Sequence, residues 1–156
     1  VRVGQGIDIH RFSEDPHRPL VLGGVVIEGA QGLAGHSDAD AVCHALADAI
    51  LGAVGLGDLG RHFPDTDPQW RGADSVALLT EVVRLAAAQG FVVVNADCTI
   101  VADTPRLAPH TDAMVERLGE VVDAPVSVKA TRAEGIGALG RSEGIACMAI
   151  VLMEHR

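Results

Sequence analysis

No apolar run in this 156-residue chain is long enough to span a bilayer, and no charged-then-apolar leader precedes its first apolar segment. A cytoplasmic location is the expectation. The chain opens on Val1 rather than Met, so a short N-terminal piece is expected to be missing or processed. An excess of basic residues is also lacking. With a formal net charge of −9, nucleic acid and anionic membranes are poor partners, and a small anionic ligand would need local cations. Cysteine is scarce and odd in number. Cys43, Cys98 and Cys147 show no C-x-x-C spacing and each lies in an apolar-periodic segment, as buried free thiols of a reducing compartment would. Repeats, low-complexity tracts and Pro/Ser-rich linkers are missing too, so residues 1–156 read as a single domain. Its 48% hydrophobic and 21% charged residues suffice for one core.

Within the expected first strand, "GIDIHRF" (6–12) sets Asp8 and His10 two residues apart. Strand side chains alternate faces, so Val1, Val3, Ile7 and Ile9 share one face, and the other carries Arg2, Gly4, Gly6, Asp8 and His10. The apolar face is expected to be the core face. A solvated strand surface would also satisfy the polar one.

Further along, "PLVLGGVVIEG" (19–29) signals a hairpin about Gly23-Gly24. A helix is expected over 38–54, with Ser37 or Asp38 as N-cap and Gly55 as its stop. Residues 56–72, dense in Gly, Pro and Asp, read as a loop. Helices follow over 73–89 and from Pro105 to about Val122, and strands over 91–102, 125–131 and 145–153. This order predicts an α/β (α+β sandwich) architecture: a four-stranded sheet with helices on one face, plus the small hairpin. The last strand, "IACMAIVLM", is apolar on both faces and must be covered on both, which predicts a homo-oligomer. A local second layer from the hairpin is the alternative.

On the 38–54 helix, Val42, Leu46, Ala49, Ile50 and Ala53 form one stripe, while Asp40, His44 and Asp48 fall opposite at i, i+4, i+8. Such a histidine belongs to a solvated face or is a metal ligand whose neighbouring aspartates orient it from outside. With Asp8 and His10 it makes two imidazoles and one carboxylate, a complement suited to catalytic zinc with one open position. His36 and Ser37 precede the helix N-terminus, where main-chain N–H groups favour an anion. "GDLGRHFPDTD" (57–67) and "TRAEGIGALGRSEG" (131–144) offer further polar loop groups but match no Walker or dinucleotide spacing.

Five segments, "GIDIHRF", "AGHSDADAVCHALADAILGA", "GDLGRHFPDTDPQWRGADS", "DCTIVADTPRLAPH" and "VKATRAEGIGALGRSEGIAC", taken in order over nearly the whole chain, resemble the 2-C-methyl-D-erythritol 2,4-cyclodiphosphate synthase family of the non-mevalonate isoprenoid pathway. The resemblance implies a ferredoxin-like or chorismate-mutase-like homotrimer with sites between subunits. It implies a cytidine-diphosphate-linked substrate, whose 2-phosphate attacks the β-phosphorus and expels CMP. Zinc would sit on Asp8, His10 and His44, with Asp40 and Asp48 behind them, and Mg²⁺ or Mn²⁺ on Glu134. His36, Thr131 and Arg132 are the implied catalytic groups. Substrate contacts would fall to Asp8, Ile9, His10, His36 and Ser37, and to Asp58, Leu59, Gly60, Phe63, Pro64, Asp65, Thr66 and Asp67. Others would come from Ala102, Asp103, Thr104, Pro105, Arg106, Leu107 and Ala108, and from Ala130, Thr131, Arg132, Ala133, Glu134, Ala138 and Arg141. Ala102, Arg106 and Ala130 would read the base through their main chain, and Asp58 would take the ribose.

The chain also departs from the family pattern. Thr131-Arg132-Ala133 stands where two or three threonines are common, replacing a hydroxyl with a guanidinium. Ala138 and Met148 replace a usual aromatic and a usual glutamate at the family's trimer-axis cavity, so isoprenoid-diphosphate binding there does not carry over, although Arg141 is retained. Two rival readings share the same metal ligands. A zinc phosphohydrolase would give no cyclic product. A binding module with a structural zinc would normally use four, cysteine-rich ligands.

Overall fold

The computed structural model describes Val1–Arg156. Four strands form one sheet: β1 (Arg2–Arg11), β4 (Phe91–Val101), β5 (Val126–Thr131) and β6 (Gly144–His155), in the order β1-β6-β4-β5. β6 runs antiparallel to both β1 and β4, and β4 and β5 are parallel. The carboxyl ends of β1, β4 and β5 therefore lie at the same end of the sheet. A separate hairpin, β2 (Leu20–Leu22) and β3 (Val25–Ile27), turns at Gly23-Gly24. Both glycines have positive φ (59° and 73°), as a two-residue hairpin turn of the favoured hand requires.

Helices α1 (Ala41–Val54), α3 (Ser75–Ala88) and α4 (Thr111–Val122) form the second layer, on one side of the sheet as expected. α1 is buried on nearly every side, with His44 and Asp48 on its least buried line. The expected 56–72 loop carries a short helix, α2 (Leu59–His62), capped by Asp58, and a 3-10 turn at Pro68–Trp70. The third long helix starts at Thr111 rather than Pro105, after a cis Thr104–Pro105 bond and a 3-10 turn at Ala108–His110. Another short helix, α5 (Gly137–Gly140), lies in the 132–144 segment.

The face assignment of β1 is reversed. Its apolar side is the outer one, with Val3, Ile7 and Ile9 at 68%, 53% and 63% exposure, while Gly4 and Gly6 are buried against α1. Proximity to the helix decides this, because a β carbon on Gly6 would lie 2.0 Å from the Ala45 carbonyl oxygen and one on Gly4 1.8 Å from that of Ala49. The two glycines let α1 lie directly on the strand. The polar face, with Asp8 and His10, is thus the helix-facing one, and the apolar face continues as an uncovered sheet surface through Met148 and Ile150 of β6.

Candidate metal centre and the neighbouring pocket

Because the Asp8/His10 face of β1 lies against α1, both side chains reach His44 on the second turn of that helix. Asp8 Oδ2 lies 2.8 Å from His10 Nε2 and 3.2 Å from His44 Nδ1, and the two imidazole nitrogens are 3.4 Å apart. A tetrahedron with metal–ligand bonds of about 2.05 Å has edges of about 3.3 Å. Three donor atoms at this spacing fit three corners around one metal ion, and no other group of three such side chains in the chain converges this way.

His10 Nδ1 lies 2.8 Å from the Ala34 carbonyl oxygen, which can only accept, so this nitrogen carries the hydrogen and Nε2 turns its lone pair to the site. Burial disfavours charge on Asp8, but the hydrogen bonds and attraction of His10 and His44 outweigh it and hold its carboxyl well below the usual range. Burial likewise opposes charge on His10, and the bond to Asp8 outweighs it and raises the imidazole above its ordinary value. Electron-rich atoms this close call for a cation, whether proton or metal.

The triad forms part of the wall of a cavity of about 670 Å³, shared with His36, Ser37, Asp48, Leu59, Gly60, Phe63, Pro64, Asp65 and Thr66. Gly35, Trp70 and Leu78 also line it and had no spacing signal in the sequence. Asp58 is exposed, and its carboxylate accepts from Arg61 N–H. Asp67 caps the 3-10 turn, and its carbonyl oxygen lies 3.4 Å from His36 Nε2. Exposed Ile9 is on the outer face of β1, away from the triad.

The hydrogen bonds of the two aspartates expected behind His44 go to main-chain N–H groups. Asp40, completely buried, is the N-cap of α1 in place of Ser37 or Asp38. Its carboxylate accepts N–H bonds from Val42, Cys43, Gly23 and Gly24, joining the helix start to the hairpin. Burial pushes its carboxyl above the ordinary range against the pull of those N–H groups. The Val42 and Cys43 N–H groups at the helix N-terminus are therefore taken by the chain's own carboxylate. Asp48 lines the cavity and accepts from Leu59 N–H at 2.7 Å, fixing the start of α2. Burial, together with Asp58 and Asp8, raises its carboxyl.

A second pocket, about 560 Å³, opens at the carboxyl ends of β4 and β5 between Ala102, Asp103, Pro105, Arg106, Leu107, Ala108, Ala130, Thr131 and Arg132. Thr104 between them is exposed. Asp103 accepts from Ala133 N–H at 2.6 Å and Gly135 N–H at 3.2 Å, and Arg132 reaches it at 3.9 Å while staying 67% exposed. Glu134 is exposed, has a positive φ of 54°, and joins no cluster of ligating side chains within the chain. Ala138 is exposed, and Arg141 pairs with Glu143 at 2.6 Å.

The pockets belong to opposite edges of the sheet. Asp8 and Ala130 lie in one cross-strand row, Asp8–Cys147–Ile100–Ala130, three strand spacings or about 14 Å apart.

The fold and the triad define a mixed-sheet α/β protein with a group of side chains able to bind a metal at one sheet edge. The model of the YgbB family matches residues 1–154, and the chain belongs to that family. Over 156 residues it is 53% identical to the 2-C-methyl-D-erythritol 2,4-cyclodiphosphate synthase of Geobacillus kaustophilus, covering 98% of each chain. Among solved structures, it superimposes on a 2C-methyl-D-erythritol-2,4-cyclodiphosphate synthase in a CDP-bound form with a TM-score of 0.88 and 40% identity, over 98% of this chain and 100% of that one. The bifunctional IspDF of Campylobacter jejuni gives a TM-score of 0.94 at 39% identity, over 99% of this chain and 42% of the bifunctional one.

Proposed function

We propose that this protein catalyses the reaction its relatives are named for: formation of 2-C-methyl-D-erythritol 2,4-cyclodiphosphate, in isoprenoid biosynthesis, from 4-diphosphocytidyl-2-C-methyl-D-erythritol 2-phosphate. The observation that carries this reading is the Asp8–His10–His44 cluster in the wall of a cavity large enough for a phosphorylated polyol. An oxygen of the 2-phosphate attacks the β-phosphorus. The bond from that phosphorus to the bridging oxygen breaks, and CMP leaves with the oxygen. No water is consumed, which makes the enzyme a cyclising phosphorus–oxygen lyase.

The catalytic task is to bring two polyanions together in line. Asp8, His10 and His44 would hold zinc, which when bound polarises a phosphate oxygen. Glu134 would hold Mg²⁺ or Mn²⁺, a hard cation that keeps several waters. His36 faces the cavity and donates to the 2-phosphate, beside Ser37. The 58–67 segment encloses the polyol and ribose, and the pocket at 102–108 and 130–132 takes the cytosine. Thr131 and Arg132 then lie against the diphosphate.

The separation of about 14 Å between the two edges supports a site shared between copies, the triad of one chain facing the Arg132 edge of the next. The uncovered apolar face of β1 and β6 supports a homotrimer closed about that face. No helix is long and apolar enough to cross a membrane, and a cytoplasmic location fits three free thiols.

Incubation with the cytidylyl substrate and Mg²⁺, followed by phosphorus NMR, is expected to yield CMP and a cyclic diphosphate in equal amounts. An open-chain product carrying solvent oxygen would instead make the protein a phosphohydrolase.

A further inference from the structure

Only Nδ1 of His44 faces the triad; its other ring nitrogen points the opposite way, into a buried polar group. Nε2 lies 2.8 Å from Ser75 Oγ and 3.2 Å from Ser37 Oγ. Ser75, the first residue of α3, is 1% exposed. Its hydroxyl donates to Asp38 Oδ1 in a very short contact, and its main-chain N–H donates to Asp38 Oδ2 at 3.1 Å.

A carboxylate has no hydrogen to give, so the proton between Asp38 and Ser75 belongs to the serine. Ser75 Oγ then has only lone pairs to offer His44. Nε2 must supply the hydrogen, leaving the lone pair of the neutral ring on Nδ1. That lone pair faces Asp8 and His10. We propose that Asp38 and Ser75 form a hydrogen-bond relay that fixes the tautomer and plane of His44, which makes them the positioning residues of the metal centre. The proposal rests on the reading of Asp8, His10 and His44 as metal ligands. It also replaces Asp40 and Asp48 in the supporting role that their spacing on the helix suggested.

Ser75→Ala removes the hydroxyl and leaves the cap of α3, which is Asp74, in place. Zinc affinity measured by chelator competition is expected to weaken about tenfold or more, with little change in the unfolding midpoint of the metal-free protein. In the zinc-loaded wild type, proton NMR is expected to show a slowly exchanging His44 Nε2–H that disappears in the variant. A merely structural Ser75 would lower the midpoint and leave the affinity alone. Asp38→Asn, which removes the charge and keeps one acceptor, is expected to shift affinity in the same direction and serves if Ser75→Ala does not fold. Affinity within twofold of wild type in the folded variant overturns the relay, whether or not Ser37→Ala carries the loss instead. A wild type that takes up no zinc would remove the metal reading itself, and the relay with it.

Discussion

Gly6→Ala tests whether the contact of α1 with β1 sets the spacing of the metal ligands. A β carbon at Gly6 would stand 2.0 Å from the Ala45 carbonyl oxygen and 2.7 Å from Ala49 N. Ordinary carbon–oxygen contact needs about 3.3 Å, so α1 must retreat from the strand by about 1.3 Å. Both obstacles are main chain, so no side chain can swing aside. Asp8 and His10 travel with β1, whereas His44, adjacent to Ala45, travels with α1. The 3.2 and 3.4 Å separations between His44 and its two partners would open by a comparable amount, where a coordination site tolerates about 0.2 Å. Overpacking of this kind costs about 1–3 kcal/mol or more, a fall of roughly 3–10 °C in Tm for a domain of this size. Thermal unfolding by circular dichroism and zinc affinity by chelator competition read the two effects separately. Gly52→Ala, on the same helix but exposed and with no atom nearer than the Gln5 carbonyl oxygen at 4.0 Å, is the control. It is expected to stabilise by about 0.5–1 kcal/mol and leave zinc untouched. A Gly6→Ala protein that melts with the wild type and holds stoichiometric zinc would refute the argument.

Asp40→Ala strips the acceptor from four main-chain N–H groups, so the unfolding free energy from urea denaturation is expected to fall by about 3 kcal/mol or more, with metal affinity retained in the folded fraction; equal stability would contradict the bridging role. The three buried cysteines are expected to resist a thiol reagent until denaturant is added, then react together, because burial raises the Cys43 thiol and a thiol–thiol hydrogen bond with Cys98, together with burial, raises that of Cys147. Fast native reaction would show that α1 opens readily. Arg132→Ala is expected to lower kcat/KM about tenfold, since a charged hydrogen bond at the diphosphate would be lost; unchanged kinetics would return Arg132 to the surface. Light scattering is expected to give the mass of a trimer, and a stable monomer at micromolar concentration would count against the shared site.

The elements legible in the sequence were those with a local cause. Hairpin, helices and strands announced themselves through glycine turns, caps and periodicity, and the triad through a period-two strand joined to a histidine on a helix. The sidedness of β1 was not legible, because alternation gives two faces without saying which one meets the helix. The apolar face suggests the core, yet only Gly4 and Gly6 leave room for α1. Asp40, His44 and Asp48 do share one line of α1, but angle alone does not distinguish an N-cap from an outer partner of a histidine. The hydrogen-bond partner of His44 comes from α3, more than thirty residues away, and no spacing connects Ser75 to it.

The places of Asp40 and Asp38 and the reversed strand share one physical origin. A carboxylate in a chain of this size meets competing demands: buried backbone donors, cations and water. Asp40 lies where four N–H groups converge, and it is bound to them with no side left for the imidazole. Asp38, only two residues earlier, is turned by the intervening Ala39, whose φ is +57°, so that its oxygens meet Ser75 instead. Had Ala39 kept an ordinary negative φ, the two carboxylates would not be divided between the helix cap and the histidine in this way. The strand reversal follows the same logic on a larger scale. Once α1 is drawn onto the glycines of β1, the isoleucines of that strand must face outward, and the exposed apolar surface is a consequence of the contact that builds the triad. The candidate metal site and the exposed apolar face are the two sides of one strand, so a substitution that pushes α1 off β1 should disturb both.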